Sequence, residues 1–446
     1  MATADNNLNA ANALRAKVFK ILTGEQTPQS AFLSYAPGGL PQSEHTLSFL
    51  KDPAKTSEWA SFEEIADSVP LGVGDWVKST TNMAEIYENW LVRYEPPPFS
   101  LTPEEEKKLR DAETFVYNEN NYNKYRQYKT AYQNAYTVWY TLVVTPTTDR
   151  PPDYATLLSK AKNAMQTADQ DWNVLGQKAK YDTNYAIVQD LSQRDPVNTK
   201  QFLTQRLGKP LESGGKSFYP TIIHPANLLD KGFEWPRFSF YHNEVHEYEQ
   251  KDSYRWGGSA SYGALLWSVK GEHEGKKEYS QKNTDISNMK IEFELLRAPI
   301  IRPWFSNFLL RGRGWKWRTS TKENPTGGDP LSDGKIPPEQ GNLPMIPTEA
   351  IFARNLTVKL DMSSKVNKES LLETKSSAEA GWGLFKIKGH VETSSGTKSF
   401  DFVEEGDGIT CAQPQIIGFF SELMPMTPNP NWALWDKTLA AGGKHA

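Results

Sequence analysis

The hexapeptide LWSVKG at residues 266–271 returns as LFKIKG at residues 384–389, 118 positions further along the chain. The same offset aligns Phe238 with Leu356, Phe240 with Val358, Ser259 and Ala260 with Ser377 and Ala378, Gly263 with Gly381, and Glu274 with Glu392. At an offset two or three residues smaller, Ile300, Ile301, Phe305 and Ser306 match Ile416, Ile417, Phe420 and Ser421. The sequence therefore predicts a structural unit that occurs twice, at 235–310 and 352–425. A chance likeness of two β segments is the alternative.

From Phe218 onward, alternation of apolar and polar residues replaces helical spacing, which is typical of half-buried strands. Clear examples are Met289, Ile291, Phe293 and Leu295, and later Leu356, Val358, Leu360 and Met362. Antiparallel pairing is expected because no helix of crossover length lies between these strands. We therefore predict a mainly antiparallel β domain over 211–446, with the two repeats as pseudo-symmetric parts of one sheet or sandwich. Residues 319–348, rich in Pro, Gly and Asp, are predicted to be a long joining loop that is functional or disordered.

A long antiparallel helical hairpin is predicted over 101–210. Its start signal is Thr102-Pro103-Glu104-Glu105, with a capping residue, proline at the first helical position and glutamate three residues past the cap. Six tyrosines then recur at steps of three and four and share one helical face: Tyr122, Tyr125, Tyr128, Tyr132, Tyr136 and Tyr140. A return helix with the same spacing follows the turn at 146–152 and completes a coiled-coil pair. The tyrosine stripe is either core, the more common role, or a binding surface.

The first 100 residues are expected to be irregular with short helices. One is an amphipathic helix over residues 10–22, and another spans residues 82–94 and stops before Pro96-Pro97-Pro98. The predicted fold class is therefore α+β, with a helical hairpin followed by an internally duplicated β domain.

Composition and charge exclude several classes of function. The chain of 446 residues carries a net charge of −4, so nucleic acid is not an expected partner. No window approaches the roughly 18 uncharged apolar residues that a spanning helix needs. The N-terminus has no basic stretch followed by an apolar one, and the single cysteine, Cys411, cannot form an intrachain disulfide. We expect a soluble protein made in the cytoplasm, with release by a route independent of a signal peptide left open.

No catalytic, metal-binding or cofactor-binding motif stands out in the sequence. His242, Glu244 and His246 alternate over a predicted strand, but HNEVH is not the zinc motif HExxH, and a solvated strand face is the preferred interpretation. A phosphate-binding glycine loop, a dinucleotide-binding motif and a nucleophile elbow are all missing. We therefore expect neither catalytic residues nor a bound metal or cofactor, and a protein that is not an enzyme.

Candidate membrane or ligand contacts come from a basic, aromatic cluster and from the repeats. The cluster comprises Arg311, Arg313, Trp315, Lys316, Trp317 and Arg318. Its guanidinium groups suit phosphates and its indole rings suit a membrane interface. The alternative is a strand with both tryptophans turned inward. Trp267 and Phe385, which occupy equivalent positions in the two repeats, complete the set of candidates.

Three segments carry a resemblance to a known family: AFLSYAPGGLP at 31–41, APIIRPWF at 298–305, and the Pro-Asn-Pro tail that follows ELMP. The chain resembles a family of soluble bacterial proteins with the same order of parts and no known activity. The resemblance implies the same layout across most of the chain and transfers no site residue. This chain departs from the family pattern in the tail, where Trp432 follows the Pro-Asn-Pro-Asn segment.

Three functions are compatible with these features. The first is a non-enzymatic, oligomerising, membrane-active protein of the pore-forming toxin kind. Ser/Gly-rich stretches at 257–285 and 362–398 occupy equivalent positions in the repeats and could extend in lipid as amphipathic hairpins. The second is a self-assembling structural protein, because a long hairpin and exposed sheet edges are natural interfaces. The third is a module that binds a glycan or a protein. Membrane action ranks first because matching segments in both repeats are the more particular clue.

Overall fold

A computed structural model describes residues 2–24, 30–70, 74–97, 101–145, 147, 150–192, 194, 196–248, 253–255, 266–273, 276–282, 284–336, 340–393 and 396–435. Its helices are α1 Ala2–Thr23, α2 Thr56–Ala66, α3 Met83–Arg93, α4 Pro103–Val116, α5 Glu119–Val143, α6 Tyr154–Val174, α7 Lys178–Ser192, α8 Pro196–Leu207 and α9 Lys365–Ser376. Its strands are β1 Ala31–Pro41, β2 Leu211–Ser213, β3 Lys216–Phe218, β4 Ile222–Ile223, β5 Arg237–Tyr241, β6 Trp267–His273, β7 Lys276–Lys282, β8 Lys290–Ile301, β9 Met345–Lys359, β10 Ala380–Trp382, β11 Phe385–Thr393, β12 Gly396–Phe400, β13 Val403–Glu405, β14 Gly408–Cys411 and β15 Gln415–Leu423. Helices and sheets in one chain confirm the predicted α+β class.

Eight strands form the larger sheet, called the main sheet below, with β8 and β9 side by side at its centre. On its other side, β9 pairs first with β15 and then with β14. The sheet continues beyond β8 with β4 and β5, beyond β15 with β1, and beyond β14 with β13. All these pairs are antiparallel, as the alternating sequence pattern predicts.

The main sheet is covered on both faces. Ile291, Phe293 and Leu295 of β8, at most 2% exposed, belong to a core shared with α1 and the second sheet described below. On the opposite face, Ala298 of β8 and Phe352 of β9 pack in a separate core with α2. Because both faces are buried, the second half of β8 is almost continuously apolar.

Helix α1 lies inside the molecule. Residues 10–22 are at most 7% exposed, apart from the exposed Lys20. The Tyr35 hydroxyl on β1 donates to the carbonyl of Arg15, and Leu14 lies against Gly383 next to β10. The expected amphipathic helix is thus buried over most of its surface, because β1, residues 242–246 and α5 pack against it.

The helical layer begins as the sequence predicts. Thr102 caps α4 in a complete capping box with Glu105, and Asn118 caps α5 after a break at Tyr117. Next to the connection of α5 and α6, the Tyr154 hydroxyl donates to the Leu142 carbonyl. Far from it, Trp172 stacks on Tyr132.

The segment predicted as a long loop, 319–348, is exposed over 321–324 but packed against the body at several other described positions. Leu331 and Leu343 are buried, and the Ser332 hydroxyl donates to the carbonyl of Met424 at 2.9 Å. Its last residues belong to β9, which begins at Met345. The C-terminal tail therefore covers this connection.

Candidate functional site

Four neighbouring strands of the main sheet each contribute one residue to a row of paired residues that runs across the sheet. Tyr241 at the end of β5 lies beside Lys290 of β8, Lys290 beside Lys359 of β9, and Lys359 beside Gly408 of β14. The chain leaves these strands after Tyr241 and returns at Lys290, then leaves after Lys359 and returns at Gly408. Both departures are therefore side by side at the same end of the sheet.

Two segments of equal length depart from this row. Segment 1 is residues 242–289 and segment 2 is residues 360–407, which makes 48 residues in each. Together they supply all the strands of the second sheet, whose antiparallel order is β12-β11-β10-β6-β7. Segment 2 also contains α9 and β13.

The Ser/Gly-rich stretches predicted to extend in lipid lie within these two segments. Of the stretch at 257–285, residues 257–265, 274–275 and 283 lie outside the described part of the chain. The stretch at 362–398 contains the helix α9, which the sequence pattern did not indicate. It continues through β10 and β11 into β12.

Segment 2 keeps the register of the strands from which it leaves. Lys359 and Gly408 are partners, and 23 residues inward from each Trp382 and Phe385 are partners too. Gly381 and Lys386 keep this register, whereas Ala380 is opposite Lys388, one residue out of register. Trp382 and Phe385 flank the tight turn between β10 and β11, at the midpoint of segment 2. At its turn, the hairpin β10–β11 therefore has the register that an uninterrupted continuation of the pair β9–β14 would have, although α9 and other residues lie between them.

The pairing of segment 1 with segment 2 also continues the register of the main-sheet strands from which they leave. Lys290 and Lys359 are partners; 21 residues away from the row on each strand, Val269 and Ala380 are partners. The pairing of β6 with β7 differs, because it opposes Val269 to Ser280. Continuing the register of β5 and β8 would oppose Val269 to residue 262 instead.

The predicted contact residues Trp267 and Phe385 occupy one row of the second sheet. Both are partners of Trp382, one from each side of β10. Each begins the first strand of a hairpin, β6–β7 or β11–β12. Both side chains are fully buried, so in this state neither meets a membrane or a ligand.

Strand β11 is amphipathic. Phe385, Ile387 and Val391 point into the core and are at most 6% exposed, while the residues between them point outward. Those outward residues are Lys386, Lys388, His390 and Glu392. The alternation follows the two-residue repeat of a strand with one apolar and one polar face.

Side chains add to the backbone ladders β6–β10 and β13–β14 that join the segments to each other and to the main sheet. The buried Gln415 of β15 accepts a hydrogen bond from the Lys386 amide at 2.8 Å and donates to the Lys386 carbonyl at 3.2 Å. Asn367 of α9 accepts from the Asp285 amide at 2.8 Å and donates to the carbonyls of Asp285 and Asp361. These contacts fasten segment 2 to the main sheet and to segment 1.

An ion pair buried between α1 and segment 1 adds a third fastening. Lys17 and Glu244 are 2.5 Å apart and at most 3% exposed. Burial raises the pKa of Glu244 above its ordinary value, although the Lys17 ammonium opposes this. The interpretation of HNEVH as a solvated strand face was wrong: residues His242–His246 form a 3-10 helix that turns Glu244 inward.

The basic, aromatic cluster is largely engaged within the molecule. Trp315 and Trp317 are 0% and 3% exposed and meet edge to face at 4.9 Å, which matches the inward alternative. Arg311 pairs with Glu422 at 2.8 Å, and Lys316 pairs with Glu95 at 2.6 Å.

The two remaining cations of the cluster are both exposed. Arg313 donates to the carbonyl of Asn429 at 3.1 Å, while Arg318 is 90% exposed and 3.7 Å from Glu95. A role of the cluster in membrane or ligand contact stays a prediction.

Sequence reasoning missed the row, the matched registers and the fastenings by Gln415 and Asn367. The equal length of the segments was available as a signal, because the offset of 118 residues carries Tyr241 to Lys359 and Lys290 to Gly408. In the described part of the chain, no cluster of three or more His, Cys, Asp or Glu suits a metal, and no helix is long and apolar enough to cross a bilayer. No protein-family model matches the chain, and no curated protein or solved structure shows significant similarity to it.

Proposed function

We propose that this protein acts on membranes as a non-enzymatic oligomer, and that segments 1 and 2 leave the body and extend as paired amphipathic β-hairpins. The observation that carries the proposal is the row of Tyr241, Lys290, Lys359 and Gly408. At this row two chain segments of the same length emerge from four strands that are already paired. Extension would continue existing ladders instead of creating new ones.

The matched registers support this route. A one-residue slip would move every side chain to the other face of a strand, so register decides whether an extended hairpin is amphipathic. The pairs Trp382–Phe385 and Val269–Ala380 already have the register that straight continuation of the main sheet requires. The pairing of β6 with β7 has to be exchanged, the pairings of β11 with β12 and of β13 with β14 have to open, and the one-residue shift at Ala380 has to be removed.

The length of the segments is sufficient for a membrane. An arm of about 24 residues, at about 3.3 Å per residue, reaches ~80 Å. A strand that crosses a bilayer needs about 9–11 residues. Each arm could therefore span the hydrocarbon layer and leave a stem between the membrane and the main sheet.

Oligomerisation is part of the proposal, because hairpins in lipid need all their backbone groups paired in a closed ring. The edges of the main sheet suit this requirement. Within the described residues β5 pairs only with β8, while β14 is covered by β13. Since β13 belongs to segment 2, its departure would free the β14 edge for β5 of a second copy.

Two finer features of the architecture are proposed on the same evidence. We infer that residues 235–310 and 352–425 arose by duplication, because Trp267 and Phe385 begin corresponding hairpins on either side of Trp382. We also infer that α5 and α6 form the antiparallel helical hairpin expected from sequence, supported by the contacts of Tyr154 and Trp172.

Release of a trapped dye from liposomes, combined with a labelling scan, tests the proposal. In a Cys411→Ala background, single cysteines at positions 385–393 would carry a nitrobenzoxadiazole label, whose emission rises in lipid. We expect liposomes to leak and the emission to rise at every second position of the scan. A label at Arg237, on β5 outside both segments, serves as the control and should not respond.

Other outcomes point to the other two functions. A concentration-dependent oligomer, seen by light scattering, that leaves liposomes intact and the labels unchanged would favour a structural assembly. A monomer that leaves them intact, but shows tryptophan quenching with a glycan, would favour a binding module. Either result would exclude hairpin extension.

A further inference from the structure

A cleft of about 920 Å³ lies at the end of the main sheet opposite the row from which the segments leave. Strand β8 begins at the row with Lys290 and reaches the cleft with Arg297 and Ile300. Helices α5 and α7 form the facing wall. The volume is in the range of pockets that hold small organic molecules.

Aromatic rings form much of the wall. Seven tyrosines line the cleft: Tyr117 between α4 and α5, Tyr122, Tyr125, Tyr132 and Tyr136 of α5, and Tyr181 and Tyr185 of α7. The four on α5 belong to the tyrosine stripe, and all four are half-buried instead of fully enclosed in a core. Tyrosines fixed by neighbours can offer flat faces to a ring and hydroxyls to its polar edge.

The acidic side chains of the cleft all have a cationic partner. Glu349 of β9 pairs with Arg297 at 2.6 Å, Asp182 of α7 with Lys178 at 2.8 Å, and Glu422 of β15 with Arg311 at 2.8 Å. Arg302, also in the wall, is paired with the buried Asp67 and donates to two carbonyl oxygens.

Two cations on α5 have no such partner. Arg126 and Lys129, one helical turn apart, both line the cleft, and neither is within ion-pairing distance of a carboxylate among the described residues. Arg126 donates only to the Tyr122 hydroxyl, at 3.3 Å and 3.4 Å. Burial, with Arg126 nearby, lowers the pKa of the Lys129 ammonium. Glu349 is thus a single carboxylate near three cations, Arg297, Lys129 and Arg126, and it is already paired with Arg297.

Arg206 of α8 is a third cation of the wall that has no carboxylate partner among the described residues. Its guanidinium lies 4.3 Å from the centre of the Tyr117 ring, and its Nε atom is buried without a hydrogen-bond partner in the described structure. Unpaired cations in a half-buried cleft attract an anion, because hydrogen bonds to charged groups strengthen out of bulk water.

We propose that the cleft binds a small anion with a phosphate or carboxylate group next to a flat ring. Arg126 and Lys129 hold the charged group, and the tyrosines of α5 and α7 stack on or border the ring. Arg206 gains an acceptor for its Nε from the same ligand. The site is independent of hairpin extension, since it uses no residue of segments 1 and 2.

Isothermal titration with matched probes tests this site. Adenosine 5′-monophosphate and indole-3-carboxylate are the ring-containing anions, adenosine and indole are their neutral counterparts, and inorganic phosphate is the anion without a ring. We expect at least one ring-containing anion to bind at least about tenfold more tightly than its neutral counterpart and than phosphate.

The double variant Arg126→Gln/Lys129→Gln should lose about tenfold or more in affinity for that anion. Lys124→Gln, which removes an exposed cation from the same helix, should bind as the parent protein does. Thermal melts of both variants check that the fold is kept. Failure of both ring anions to bind, equal binding of the neutral probes or of phosphate, or an unchanged affinity of the folded double variant would each overturn the proposal.

Discussion

Individual residues matter most where a charge is buried. Lys17 and Glu244 are 3% and 0% exposed, and the pair Arg302–Asp67 is 5% and 0% exposed. Arg302 is also satisfied by the carbonyls of Pro347 and Ala66. In such places, removal of one partner leaves an unpaired charge out of water, which costs about 3–5 kcal/mol, whereas joint replacement by apolar groups costs much less.

The pair between α1 and segment 1 gives the first prediction. Lys17→Met should lower the free energy of unfolding by about 3 kcal/mol, because the buried Glu244 carboxylate loses its cationic partner and keeps, among the described residues, only the hydrogen bond from the Tyr241 amide. The double variant Lys17→Met/Glu244→Leu should recover most of that loss. Chemical denaturation measures both, with Lys20→Met, at an exposed position of the same helix, expected within about 0.5 kcal/mol of the parent. A double variant as unstable as the single one would contradict the account.

Glu63 gives a prediction for pH. Burial and the neighbouring Asp67 raise the pKa of this side chain from 4.5 to about 8. Between these two values the folded protein holds a proton that the unfolded chain releases, so stability falls as pH rises through this window. Glu63→Gln imitates the protonated form and keeps an acceptor for Asn82, so it should melt several degrees higher than the parent at about pH 9 and near the parent at about pH 5.

Glu64 is the matched control for this prediction. Hydrogen bonds from Lys216 and Lys78 lower its pKa, so its contribution to stability is present above its ordinary pKa and is lost on acidification. Glu64→Gln should therefore lower the melting temperature slightly at about pH 9 and leave it unchanged at low pH. The same response from both variants would refute the assignment of Glu63.

Among the elements, the second sheet is joined to the main sheet without a backbone ladder. Its five strands pair only with one another among the described residues, and apolar contacts such as Phe293 on Phe385, 4.9 Å apart, connect it to the main sheet. Apolar contacts are not directional, so an element held in this way can separate as a unit. The Gln415 side chain is therefore a specific attachment, because its two hydrogen bonds to the Lys386 backbone take the place of strand pairing at this point.

The third prediction concerns this fastening. Gln415→Ala removes two buried hydrogen bonds to Lys386, which should cost about 1–3 kcal/mol and speed up amide exchange in β11 relative to β8. If segment 2 extends in lipid, the same variant should also release dye from liposomes faster. Gln413→Ala is the control, because Gln413 donates to the carbonyls of Gln42 and Pro414 and does not contact Lys386. Equal exchange in β11 for both variants would rule out a fastening role.

For the whole molecule, the proposed extension makes opposite predictions for two engineered disulfides. Val269→Cys/Ala380→Cys joins partners that keep their register in the extended state. Val269→Cys/Ser280→Cys joins partners whose pairing must be exchanged. Directly opposed residues of antiparallel strands are within disulfide distance in both cases. In a Cys411→Ala background, the first oxidised variant should release dye from liposomes and the second should not.

Reduction provides the internal control for this fourth prediction. With dithiothreitol, both variants should regain the parent rate of dye release, because the covalent link is removed. Full activity of the oxidised second variant would mean that segment 1 does not extend in the register of β5 and β8. Loss of activity in the oxidised first variant would mean that the two segments separate from each other instead.

Much of the local structure could be predicted from the sequence. The capping box at Thr102 and the alternating apolar positions of β8 were both correct. These features depend on residues a few positions apart, whose spacing sets the helical or extended state directly. The α+β class follows from the same signals.

The environment of each element was decided only by the tertiary structure. Residues 10–22 have an amphipathic pattern, yet most of the surface of this helix is buried. HNEVH alternates like a strand, yet it forms a 3-10 helix in which Glu244 points inward and pairs with Lys17. Four of the six tyrosines of the stripe border a cleft because of the elements that lie opposite α5. The row of Tyr241, Lys290, Lys359 and Gly408 likewise appears only when distant strands pair. Local spacing determines the conformation of a segment, but burial and proximity depend on partners far away in the chain, which its own residues do not specify.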